Sequence, residues 1–222
     1  GAVEELVGEA LEGRRDEVFL VSKVLPSNAS RRGTVEACER SLRRLRTDRL
    51  DCYLLHWSGP HPFEETVAAF EALREAGKIR SWGVSNFDAR ALDEVVRIAG
   101  TGKVACNQVL YHLRERSVEH HLVRRCAEHG VALVGYSPFG SGRFPADDPT
   151  LRSIAEAHGA TTHQVALAFL TREAGTFAIP KSAGAARVRS NAAAHALELG
   201  EDDVRRIDAA FPRGPWRGLP TL

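Results

Sequence analysis

Six short apolar runs in this 222-residue chain carry a polar, chemically capable residue at or near their C-terminal ends. Lys23 ends VFLVSK, and His56 ends CYLLH. Ser85 and Asn86 end IRSWGVSN, while Asn107 and Gln108 lie within VACNQV. Tyr136 and Ser137 end VALVGYS, and Lys181 and Ser182 end TFAIPKS. An imidazole that closes an apolar strand is costly to bury unless it is hydrogen-bonded. His56 is therefore either satisfied in the core or placed there for proton chemistry. One such residue is weak evidence, but the same placement at the ends of six strands is a constellation. Period-two geometry puts Cys52, Leu54 and His56 on one face of their strand, with Tyr53 and Leu55 on the other.

The elements that must position these residues alternate along the chain. Val3, Leu6, Val7, Ala10 and Leu11 form the apolar stripe of a helix over 2–12. A strand over 18–24 follows, then a helix capped by Thr34 and running to about Leu45, with Glu36 and Arg40 as an i,i+4 pair. Strand 52–57 precedes helix 64–76, which ends at Gly77. Strand 79–86 leads to a helix over 89–99, capped by Asp88 or Asn86 and closed by Gly100. Strand 104–111, helix 117–129 ending at Gly130, and strand 131–139 come next. Helices near 149–158 and 162–173, strand 176–182, and helices near 185–195 and 201–210 complete the pattern before the tail PRGPWRGLPTL.

Strands alternating with helices at this spacing imply βαβ units and a parallel sheet. A doubly wound sheet would normally place a glycine-rich loop after its first strand, and no GxGxxG occurs here. The expected fold is therefore a (β/α)8 barrel of the TIM type, with six strands readable in this chain and two missing. Residues 1–211 form the barrel domain and 212–222 a C-terminal tail. Active sites of such barrels lie at the C-terminal ends of the strands, where the six polar positions fall.

Composition narrows the class. Hydrophobic residues make up 43% and charged residues 27%, the balance of a globular protein. A formal charge of +1 argues against a nucleic-acid partner. No apolar run is long enough to cross a bilayer, so no membrane partner is expected. The first residues read as a charged amphipathic helix, not a signal peptide. Cys38, Cys52, Cys106 and Cys126 lie far apart, which suits reduced thiols and a cytoplasmic location. His112, His120, His121 and His129 fall in no ligand pattern, and no metal site is expected.

The segments FLVSKV, LDCYLLHW, GKIRSWGVSNF, NQVLY, GYSPFGSG and IPKSAGAARVRSN resemble the successive motifs of the aldo-keto reductases, in order and spacing, over nearly the whole chain. That resemblance implies a (β/α)8 barrel that reduces the carbonyl of small aldehydes or ketones with NADPH. It implies that Lys23 is the active-site lysine, whose charge lowers the pKa of a tyrosine proton donor, and that His56 orients the substrate carbonyl. Trp57 would line the substrate pocket. Ser85, Asn86 and Gln108 would hold the nicotinamide carboxamide, and Tyr136 would stack on the nicotinamide ring. The loop containing Ser137 and Gly140 would pass near the pyrophosphate. Lys181, Ser182 and Arg187 would contact the 2′-phosphate, which favours NADP(H) over NAD, and Asn191 would contact the adenine. Ser190 departs from the glutamate found in many members.

By the same resemblance, the family's first two strands, with an aspartate and the catalytic tyrosine, are expected ahead of Gly1. Tyr53 faces away from His56, Tyr111 is on another strand end, and Tyr136 is given to stacking, so none is an obvious proton donor. The second expectation is a truncated, catalytically weak NADP(H)-binding sensor or assembly protein on the same scaffold, self-associating at open sheet edges.

Overall fold

A computed structural model describes residues 1–221. Nine α-helices and six strands alternate among the described residues. Helix α1 (Ala2–Ala10) precedes β1 (Val21–Val24), α2 (Arg31–Arg44), β2 (Leu50–Leu55), α3 (Phe63–Glu75), β3 (Ile79–Ser85) and α4 (Ala89–Ala99). There follow β4 (Val104–Leu110), α5 (Val118–His129), β5 (Ala132–Tyr136), α6 (Pro149–Ala157), α7 (Thr162–Leu170), β6 (Thr176–Ile179), α8 (Ala185–Ala193) and α9 (Glu201–Ala210). The strands follow one another in chain order across the sheet. The β1–β2, β2–β3 and β5–β6 pairs are parallel, as helical crossovers require.

The chain divides into two compact units: Gly1–Asn107 with His129–Val131, and Gln108–Glu128 with the residues from Ala132 onward. In the first unit all six residues of β2 are buried. Tyr53 pairs in register with Trp82 and turns toward α3, where it meets Phe70 edge-on at 5.7 Å. Phe70 stacks on Trp82 at 5.2 Å, and the Trp82 indole N–H donates to Glu71 at 2.7 Å. This aromatic layer leaves the other face of β2, with Cys52 and Leu54, to the sheet's inner side. Gly83 on β3 has no room for a side chain: a Cβ there would lie 2.4 Å from the Cys106 carbonyl oxygen.

A buried carboxylate fixes the entry to β1 and β2. Asp51 is 2% exposed and accepts from the Leu20 amide at 2.8 Å. It also pairs with Arg15 at 2.8 Å and Arg80 at 3.0 Å. In the second unit Arg116 and Arg172 lie over the Phe169 ring at 4.8 and 4.0 Å. Both pair with Glu119, and Arg116 also donates to the Phe211 carbonyl at 2.6 Å. Helices α5, α7 and α9 are thereby joined around one charge network, and each arginine shields its charge with a carboxylate partner.

Several boundaries differ from the sequence reading. The N-cap of α2 is Ser30, whose hydroxyl accepts from Gly33 N at 3.1 Å, and Thr34 sits inside the helix, buried. Glu36 pairs with Arg32 at 2.6 Å rather than with Arg40, because the helix begins early enough to include Arg32. Strand β6 stops at Ile179 because Pro180 has no N–H to give the ladder. Strand β5 stops at Tyr136 because Ser137 turns into the left-handed region at φ 52°. No described helix is long and apolar enough to cross a membrane.

Candidate active site

Strand pairing brings Lys23 and His56 to the same end of the first unit. Lys23 is paired with Leu54, and the His56 amide donates to the Val24 carbonyl at 3.0 Å just beyond the end of β2. Both side chains are half-buried and open onto a cavity of about 570 Å³ running along β1. Burial, and secondarily the Lys23 charge, push the His56 pKa below its ordinary value, so the imidazole is neutral at physiological pH. Burial also lowers the Lys23 pKa, against the opposing charge of Cys106. Trp57 is 44% exposed, and its ring lies 4.4 Å from that of His56.

The end of β3 is tied to this pair. Asn86 donates through Nδ2 to the His56 carbonyl at 3.0 Å and to the Ser85 hydroxyl at 3.2 Å. It does so at φ 60°, a left-handed conformation that a short polar side chain tolerates better than a branched one. Asn107, fully buried, clamps the next residue: its Nδ2 donates to the Phe87 carbonyl at 2.8 Å, and its Oδ1 accepts from the Phe87 amide at 3.4 Å. The sequence marks Asn107 as a polar strand residue without indicating this clamp, because the partner is backbone in the loop after β3.

The second unit carries Gln108, Tyr136, Ser137, Gly140, Lys181, Ser182, Arg187 and Asn191. Gln108 is buried near the end of β4, and Tyr136 ends β5 half-buried. The loop after β5 turns through positive φ at Ser137, Gly140, Ser141 and Gly142. Its amides make local bonds, Gly140 N to Ser137 O at 2.8 Å and Arg143 N to Gly140 O at 3.2 Å.

Lys181, Ser182, Arg187 and Asn191 come together around a cavity of about 310 Å³. The Ser182 hydroxyl accepts from Arg187 Nε at 3.2 Å and from the Gly184 amide at 3.3 Å. A Cβ on Gly184 would lie 3.1 Å from the guanidinium, so the bare backbone lets Arg187 lie over it. Two cations, a hydroxyl and a backbone N–H around one concavity form a donor set suited to a phosphate monoester. Ser190, in place of the glutamate, also lines the cavity. So do Phe139, Thr161 and His163, which the sequence reading did not single out. His163 lies on a helix rather than at a strand end. Its one local signal is the TTHQ capping box that starts α7 just beside it.

Comparison with known proteins gives this geometry its context. The family model described as the aldo/keto reductase family matches residues 1–211. The chain belongs to that family. Methylglyoxal reductase YeaE of Escherichia coli (strain K12) is 46% identical over 216 residues, covering 96% of this chain and 76% of that protein. Glyoxal reductase of Bacillus subtilis (strain 168) is 37% identical, covering 88% of this chain and 69% of that protein. A crystal structure of an aldo/keto reductase from Klebsiella pneumoniae, in complex with NADP and acetate, superposes with a TM-score of 0.91 at 41% identity. It covers 99% of this chain and 79% of that one. The six-stranded β/α chain is thus built on the aldo-keto reductase barrel, the fold class expected from its sequence.

Proposed function

We propose that this aldo-keto reductase uses NADPH to reduce small aldehydes and ketones, with α-oxoaldehydes such as methylglyoxal and glyoxal as its substrate class. The observation that carries the cofactor half is the cavity in which Lys181, Ser182 and Arg187 converge, a donor set matched to a 2′-phosphate. Relatives that reduce methylglyoxal and glyoxal supply the substrate class.

Each residue has a task in this reading. Lys181, Ser182 and Arg187 hold the 2′-phosphate, and Asn191 the adenine. Ser137 and Gly140 present backbone donors toward the pyrophosphate. Ser85, Asn86 and Gln108 fix the carboxamide, and Tyr136 supports the ring. When bound, NADPH supplies the hydride from its nicotinamide C4. His56, kept neutral by its burial, donates an N–H to the carbonyl oxygen and orients it. Lys23 sets a positive charge beside it, favouring negative charge on that oxygen. Trp57, whose ring lies against His56, walls the substrate side. Tyr53 and Tyr111 are buried in the core, and the Tyr111 hydroxyl is committed to Glu119 at 2.6 Å. Neither serves as proton donor, and the alkoxide left by hydride transfer takes its proton from solvent water entering the open cavity beside Lys23 and His56. Cys38, Cys52, Cys106 and Cys126 are thiols rather than disulfides, which suits a cytoplasmic enzyme.

The test follows NADPH consumption and NADPH binding side by side, with methylglyoxal as substrate and NADH as control. The proposal expects saturable binding and turnover with NADPH and far less of both with NADH. Binding without turnover for methylglyoxal, glyoxal and simple aldehydes would leave the protein a nucleotide binder, and absence of binding would remove the cofactor site.

A further inference from the structure

The first turn of α7 touches both walls of the cavity formed by Lys181, Ser182 and Arg187. On one side Gln164 Nε2 donates to the Ser190 carbonyl at 3.0 Å, tying the turn to α8, which carries Arg187 and Asn191. On the other side His163 enters the loop after β5. Its ring lies 4.7 Å from Phe139 at 73° and 4.1 Å from Phe144 at 40°, and the two phenyl rings meet at 5.3 Å. The three rings form a closed triangle, and Phe139 and His163 both face the cavity.

This triangle holds a loop that needs holding. Two non-glycine residues between Tyr136 and Gly142, Ser137 and Ser141, sit at positive φ, a conformation kept only where the surroundings impose it. The loop's own bonds are local turns and a Ser141-to-Ser137 hydroxyl contact at 3.3 Å, and Arg114 Nη1 donates to the Arg143 carbonyl at 3.3 Å from outside it. Phe139 and Phe144 project from either end of its glycine-rich tip, so a ring lodged between them fixes the tip at both ends. The capping box of Thr161 and Gln164 makes α7 a firm base for that ring. His163 stands at the second position of the helix, where the backbone dipole disfavours a cation, and burial lowers its pKa. The cationic side chains on the same cavity are Lys181 and Arg187. A neutral imidazole therefore acts here as an aromatic wedge and leaves the charge to them.

We propose that His163 is a positioning residue for the cofactor: wedged between Phe139 and Phe144, it locks the loop after β5 against α7 and so shapes the wall that closes over the phosphate end of NADPH. This rests on the reading of the Lys181, Ser182 and Arg187 cavity as the 2′-phosphate site.

The test compares wild type, His163→Ala and His163→Phe by NADPH titration, stopped-flow NADPH release, and amide hydrogen exchange of residues 137–145 in the free protein. Loss of two ring contacts is expected to raise Kd and the release rate about tenfold in the alanine variant. Exchange in the loop should quicken, and KM for NADPH should rise in step with Kd. The phenylalanine variant should restore binding, release and exchange, because the ring rather than the imidazole nitrogens does the holding. Wild-type binding in the alanine variant, or a phenylalanine variant as weak as alanine, overturns the inference. Failure of wild type itself to bind NADPH overturns the underlying cofactor reading. Unchanged loop exchange in His163→Ala overturns the wedge alone.

Discussion

Replacing Arg187 with methionine keeps much of the side chain's bulk and removes its charge. Arg187 contacts Ser182 at 3.2 Å across the mouth of the cavity and lies over Gly184. In the proposed complex it forms a charge-assisted bond to the 2′-phosphate, a class of interaction worth about 1.5–3 kcal/mol. Arg187 is exposed, and solvent screening reduces that figure to about 1–2 kcal/mol. The expected loss of NADPH affinity is thus roughly 5–30-fold. NADH has no 2′-phosphate, so its affinity should hardly change. Quenching of intrinsic tryptophan fluorescence, or emission from NADPH itself, reads both constants. Raising the salt concentration should weaken NADPH binding in wild type more than in the variant, since one screened contact is gone. Equal losses for the two nucleotides, or an unaltered NADPH constant, would refute the assignment of Arg187 and with it the basis for NADPH preference.

Three further outcomes follow from the geometry. His56→Ala should lower kcat about 10²–10³-fold, the usual effect of deleting one donor to a developing oxyanion, while leaving NADPH affinity intact. Turnover close to wild type would remove His56 from the mechanism. The pH profile of kcat/KM should fall on the acid side only below 6.5, because the working imidazole is neutral and its pKa is lowered. On the alkaline side it should fall below 10.5, where Lys23 loses its charge early. An acid limb at or above 6.5 would contradict the environment described for His56. For Asp51, burial alone would raise the carboxyl pKa, but the Leu20 amide, Arg15 and Arg80 outweigh it and hold it low. Its contribution to stability is present above its ordinary pKa of 3.8 and is lost as the pH falls below that value. Asp51→Ala should cost about 3–5 kcal/mol and lower Tm by roughly 10 °C, read by thermal unfolding. A change of a degree or two would mean that Arg15 and Arg80 find other partners.

Strand and helix order were legible because each strand is an apolar run and three of the helices carry their own stop: Gly77, Gly100 and Gly130 all turn at positive φ beyond a helix end. The facing of β2 follows from period two alone, and Tyr53 does point into the aromatic layer with Phe70 and Trp82. What failed was local competition. Ser30 and Thr34 can both cap, and only the chain's approach through Asn28 and Ala29 selects Ser30. For the site, the strand-end residues stood out because polar atoms are rare in such runs. The clamp made by Asn107 and the place of His163 did not, since the first depends on the backbone it holds and the second on two phenylalanines some 20 residues away. Contacts of that kind depend on how the loops after β3 and β5 fold back, which no periodicity encodes.

The central claim is hydride transfer from nicotinamide to a carbonyl on this scaffold. The direct measurement is a reaction of the purified protein with methylglyoxal and NADPH deuterated at C4 on the transferred face, with the product analysed by mass spectrometry and NMR. Direct hydride transfer places one deuterium on the new carbinol carbon, in amount equal to the NADPH consumed. Unlabelled product, or no product while NADPH binds, would contradict it.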